Sequence, residues 1–198
     1  MRNALSLFFV PILMVSGTAI AGTINFDDYV FTPTVVYAAA DRYQALGIIF
    51  GGEIPIANVV RLEPQNYQYF LNVGGTGPNA MCLSSSTGIS IEASFVVPGT
   101  TTPATTDFVR ILAFDSEVGS MLGYVLAYDM AGSLIATSYR TTPSTRGGYL
   151  EVDGPGIASI VIATDSDGAE FDNLSFNTPW GTIPTEQTTW GRIKALCR

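Results

Sequence analysis

The chemical content of this chain lies in its carboxylates. One acidic stretch, Asp165-Ser166-Asp167-Gly168-Ala169-Glu170-Phe171-Asp172, stands near the end of the 198 residues, and another, Asn25-Phe26-Asp27-Asp28, near the start. The sequence contains no histidine. That excludes Ser-His-Asp and Cys-His nucleophilic machinery and His-ligated zinc. Oxygen chemistry remains: a hard cation such as calcium, which takes about six to eight oxygen ligands, or paired carboxylates acting as acid and base. Glu92, Glu117, Glu151 and Glu170 are available for the second role. Nothing in their spacing sets two of them at a working separation, and no other catalytic signature is present. The expectation is a protein with no catalytic residues.

Two strands must position the acids. Ile24 and Phe26 alternate in the first, Leu174 and Phe176 in the second. Strand side chains change face with period two, so Asp28 and Asp172 share the parity of the core residues. A carboxylate aimed at a core needs a cation or several donors. Asp28 and Asp172 are therefore the leading metal candidates, with bonding to loop N–H groups as the alternative. Asp165-x-Asp167-Gly168 resembles part of a calcium loop, but the rest of that spacing is missing, and a polar turn with Asp side chains bonding their own backbone accounts for it better, so Asp165 and Asp167 are the weaker metal candidates.

The rest of the chain reads as all-β. Arg2, the apolar run Ala4–Val15 and Ala19-Ile20-Ala21 have the layout of a secretory signal peptide over residues 1–21, cleaved after Ala21. The domain is expected over residues 22–178, with a tail over 179–198 whose Trp190, Ile193 and Leu196 suit a short amphipathic helix for sorting or docking. No other segment is apolar enough to span a membrane. A net charge of −8 argues against nucleic acid as a partner and suits cations. Ile89–Val96 alternates as a half-buried strand, and Asp129-Met130-Ala131-Gly132 between two β-rich runs reads as a hairpin. Tyr67–Leu71 is expected as a strand and Ile54–Leu62, with Pro55, as an edge or an irregular strand. Gly74–Asn79 is a glycine-rich turn with no phosphate role, because the strand and helix of a nucleotide site are missing. Cys82 and Cys197 are a candidate disulfide in an exported chain. Oligomeric state is not legible.

In this order the motifs Ile24-Asn25-Phe26-Asp27-Asp28, Tyr43–Phe50, Pro78-Asn79-Ala80, Leu126–Ile135 and Gly156–Ile162 leading to Phe171-Asp172-Asn173-Leu174-Ser175-Phe176 resemble the galactose-binding-like jelly rolls. These include many carbohydrate-binding modules and domains found in exported bacterial proteins of the PEP-CTERM type, although this tail lacks the hydrophobic anchor of that type. The resemblance implies that first and last strands meet. It implies a structural calcium there, at Asp28 and Asp172 with Asp27 beside them, and a glycan or cell-surface polymer as partner. Tyr67, Tyr69 and Trp180 are then candidate sugar-stacking residues. A structural role in a surface layer or matrix is the alternative function.

Overall fold

The computed structural model describes residues 20–28, 36–58, 68, 70–84, 89–115, 121–142, 147–165 and 168–181. Among these, strands form two antiparallel sheets. The larger contains β1 (Ile20–Ile24), β2 (Val36–Ala38), β4 (Ile54–Asn58), β5 (Asn79–Leu83), β7 (Ala104–Asp115), β10 (Gly148–Ile157), β12 (Ala169–Asn177) and β13 (Trp180–Gly181). Its order is β10-β7-β12-β5-β4-β2; β1 also pairs with β12 and β13 with β7. The smaller runs β3-β6-β11-β8-β9, with β3 (Ile48–Phe50), β6 (Ser90–Phe95), β8 (Met121–Tyr128), β9 (Leu134–Thr142) and β11 (Ser159–Thr164).

Alternation builds the core between the sheets. Ile91, Ala93 and Phe95 of β6 face inward, as do Val109, Ile111 and Ala113 of β7. Phe95 and Phe176, from opposite sheets, hold ring centroids 5.2 Å apart. Burying such rings and branched chains stabilises the sandwich by about 1.5–3 kcal/mol for each large side chain. The expected meeting of first and last strands is present: Ile24 pairs with Leu174 and Thr23 with Ser175. The hairpin also forms as expected. Asp129 Oδ1 accepts from the N–H groups of Ala131 and Ser133, both at 2.8 Å, and Gly132 takes the left-handed φ of 77° that the turn requires.

Several sequence expectations are corrected. Gln68 and Phe70–Asn72 are helical rather than extended. A tertiary contact explains this: Phe70 packs with Ala80, Leu112 and Phe114 on the outer face of the larger sheet, away from the main core. The Phe70 and Phe114 rings meet edge to face at 5.3 Å. β4 lies one strand in from the edge, with Pro55 opposite Tyr37 of β2. Ile89 lies outside the alternating set at 51% exposure.

A buried carboxylate pair beneath a polar cleft: candidate functional site

The site begins with two breaks in strand geometry. Asn173 has φ 52°, and the pairing of β12 with β7 shifts between Asp172 and Ser175. This bulge inserts a residue, so Phe171 and Leu174 both face the core although three positions apart. Asp172 is thereby turned to the opposite, outer face of the larger sheet. Asn tolerates the left-handed region better than most residues. Phe26 has φ 58°, just past the end of β1, and leaves its ring buried against Tyr43.

These breaks overturn the parity reading. Asp28 does not aim at the core. It is exposed, with Oδ2 2.8 Å from the Arg42 guanidinium, and the Tyr43 hydroxyl donates to its Oδ1 at 2.9 Å. The carboxylate turned toward Asp172 is that of Asp27, whose Oδ1 accepts from the Asn79 N–H at 3.1 Å. Period-two counting fails because neither strand stays regular at the residue in question.

Asp172 is fully buried at 0% exposure. The segment that buries it is the glycine-rich turn. The Thr76 N–H donates to Asp172 Oδ2 at 2.8 Å and the Thr76 hydroxyl to the same oxygen at 3.1 Å. Asn173 Nδ2 ties the turn down through the Gly74 carbonyl. Gly75 is required by close packing, since a Cβ there would enter the Phe70 ring. The outer cluster thus seats the turn, and the turn supplies the donors. Loop N–H bonding, the alternative raised from sequence, accounts for one oxygen of each acid. Asp172 Oδ1 is buried with no hydrogen-bond partner.

Electrostatics follow from this geometry. Burial pushes the Asp172 carboxyl up to about 6; the donors from Thr76 and Asn173 oppose the rise and the Asp27 charge adds to it. Asp27 is also raised, mainly by burial, against the Asn79 N–H and the Thr76 hydroxyl, with the Asp28 charge adding a little. Asp27, the less buried, ionises first, and its charge then opposes ionisation of Asp172.

Beside the pair lies an open cleft of about 410 Å³, lined by Thr23, Asn25, Thr76, Arg110, Tyr149, Asn173 and Ser175. That volume falls within the range of small-ligand sites, about 300–1,000 Å³. Arg110 and Tyr149 come from neighbouring strands β7 and β10, and the Arg110 guanidinium carbon stands 3.6 Å from the Tyr149 ring centroid. Tyr149 also packs against the Phe70 cluster, so the stack is held from behind. The Thr23 and Ser175 hydroxyls bond each other across β1 and β12 at 2.9 Å.

The remaining candidates are not brought here. Asp165 is exposed, and Asp167, Tyr67, Tyr69, Glu117, Cys197 and the segment 182–198 lie outside the described residues, as do residues 1–19. Trp180 is 52% exposed on β13, opposite Thr105, and does not line the cleft. Glu92 and Glu151 are exposed on different sheets, and Glu170 is buried opposite Cys82. Burial and Glu170 push the Cys82 thiol up to about 11. Sequence reasoning missed Thr76 and Arg110. A signal existed for Arg110: it is the one basic residue in the β-branched run of β7.

No protein-family model matches the sequence, and no curated protein matches it. Among solved structures, 84% of the chain is similar to the C-terminal family 22 carbohydrate-binding module of Clostridium thermocellum Xyn10B, at 14% identity over 98% of that chain, with a TM-score of 0.44. It is similar over the same share to the family 22 and family 10 modules of the same organism's xylanase 10B, complexed with xylohexaose, at 13% identity and a TM-score of 0.46; the match spans 30% of that chain. A third, TmCBM61 in complex with β-1,4-galactotriose, matches over 78% of this chain and 90% of its own at 14% identity and a TM-score of 0.33. Likeness at this level carries no statement about a ligand of this protein.

Proposed function

We propose that the protein is an exported, non-catalytic glycan-binding module of the jelly-roll kind, with its ligand in the cleft over β1, β12, β7 and β10. The observation that carries this reading is the lining. Hydroxyls of Thr23, Thr76 and Ser175 and amides of Asn25 and Asn173 surround the planar Arg110–Tyr149 stack. Convergent neutral donors and acceptors around a flat wall suit the alternating hydroxyls and apolar faces of a sugar. The two acids that meet here are poorly placed for chemistry on a ligand, because Asp172 is sealed from solvent. Binding of soluble polysaccharides measured by calorimetry, compared between wild type and Tyr149→Ala, tests it. Silence across neutral and acidic polysaccharides would refute it.

A structural calcium at Asp27 and Asp172 belongs to the same proposal. Its support is the orphaned, buried Asp172 Oδ1 beside a second carboxylate. Among the described residues no group of three acids converges, so carbonyl oxygens and water would complete the shell. Bound there, the ion would cancel the repulsion within the pair and fix the Gly74–Asn79 turn that borders the cleft. Export is tested by N-terminal sequencing of the secreted form, and a Cys82–Cys197 bridge by thiol labelling with and without reductant.

One observation favours a second reading, assembly with a second copy of the chain. β9 ends the smaller sheet and exposes Leu134, Ile135 and Tyr139 at 55%, 41% and 73%. Its edge lies against β10, where the Glu151 N–H donates to Ser138 Oγ at 3.0 Å, so the exposed side chains rather than the edge are what a second copy would cover. Light scattering that finds a monomer at all concentrations would exclude it.

A further inference from the structure

We propose that the cleft takes an acidic glycan, with Arg110 as the receptor for a sugar carboxylate; this rests on the glycan reading above and narrows it to a ligand class. Arg110 is the one charged residue among the seven that line the cleft. Its guanidinium makes no hydrogen bond and no ion pair among the described residues, and its Nε is buried without an acceptor. The acid nearest along the ladder is Glu151, its cross-strand neighbour on β10, and that side chain is exposed rather than paired with it. Asp172 is engaged beneath the turn by Thr76, and Asp27 by Asn79. The chain has 9 basic residues against 17 acidic ones. Holding one of so few cations half-buried, with no carboxylate in ion-pair contact among the described residues, is costly unless something completes it.

The seat of Arg110 is also built. Its plane lies over Tyr149, and Tyr149 is backed by the Phe70 cluster. A guanidinium stacked in this way holds its terminal Nη edge fixed in direction, and that edge, unlike the buried Nε, is the one a ligand can reach. A planar, two-donor edge matches a planar carboxylate, and such paired, charge-assisted bonds are stronger than neutral ones. The stack covers one face of the Tyr149 ring. A neutral sugar therefore loses that face as a platform, and the cation stands in its place. The amides and hydroxyls around it are suited to the ring hydroxyls of the same residue of a uronic-acid chain.

The test is calorimetric titration with trigalacturonate, its fully methyl-esterified form, neutral galactotriose and a sulfated galactotriose, with calcium held constant. Trigalacturonate is expected to bind about tenfold or more tightly than its methyl ester. Arg110→Gln is expected to erase that ratio, and Arg110→Lys to keep part of it. Thermal melts of both variants report folding, and the comparison of acid with ester in wild type needs no variant at all. Equal binding of acid, ester and neutral sugar, or a preference unchanged in a folded Arg110→Gln, overturns the acidic class and leaves the glycan reading standing. Sulfated sugar bound as tightly as uronate overturns the carboxylate assignment. Binding of none of the four, in a protein that also ignores the wider panel, removes the glycan reading itself.

Discussion

Asp172→Asn isolates the buried acid. In the wild type the carboxyl is raised from 3.8 to about 6 within a site of 0% exposure. The folded state thus binds a proton that the unfolded chain has released, in the window between these values. Stability from this group is fully present below about pH 3.8, falls as pH rises toward about 6, and is lost above it. The difference corresponds to about 3 kcal/mol, an upper figure for a site that can relax. An amide of the same shape keeps an oxygen for the Thr76 donors and carries no charge to desolvate. In chelator at neutral pH, Asp172→Asn is therefore expected to equal or exceed the wild type, by up to about 3 kcal/mol. Its stability should show no decline attributable to this site between about pH 4 and 6. In calcium the order changes. The wild type gains stability as the ion neutralises the pair, about 2.7 kcal/mol at a concentration one hundred times its dissociation constant. The variant gains little. Urea melts across this pH range, in chelator and in calcium, read all four states. A wild type whose stability in chelator does not fall over this range, with a destabilised Asp172→Asn, refutes the burial argument. A variant that keeps the full calcium gain refutes the placement of the ion.

Asp28→Ala removes an exposed ion pair with Arg42 and is expected to cost about 1 kcal/mol or less and to leave the calcium gain intact, whereas Asp27→Asn should abolish that gain; melts with and without calcium separate the two. Phe70→Ala empties the outer cluster and should cost about 3–5 kcal/mol in a denaturant melt, with glycan binding weakened as the turn loses its seat. Gly75→Ala drives a Cβ into the Phe70 ring and should cost about 1–3 kcal/mol, read in the same melt.

Much of the fold was legible locally. The hairpin at Asp129–Gly132 and the inward set Ile91, Ala93 and Phe95 follow from turn chemistry and alternation, which neighbours in sequence settle among themselves. The pairing of β1 with β12 entered through a resemblance rather than through spacing, because contacts between residues about 150 apart leave no periodic trace in either strand. The site was legible only as a region. Asp172 was singled out for the right residue but the wrong face: the conflict between its charge and its apolar neighbours is a property of sequence, whereas the bulge that resolves the conflict is not. Asp28 was misplaced for the same reason, as the left-handed Phe26 ends the alternation before it.

Composition and pattern by themselves determined an all-β chain, acidic and without histidine, and so bounded its metal chemistry to oxygen ligands. Tertiary structure decided which carboxylate faces which. It also turned Phe70 out of a strand and into a second, outer cluster, and it laid Gly74–Asn79 over Asp172. The unpaired Arg110 on Tyr149 was likewise set by the pairing of β7 with β10. The physical reason is common to all of these. Hydrophobic periodicity reports which side of an element is buried, while bulges, left-handed residues and loop closures depend on contacts between segments far apart in the chain. These contacts place the carboxylate pair, the turn that covers it and the cleft beside it.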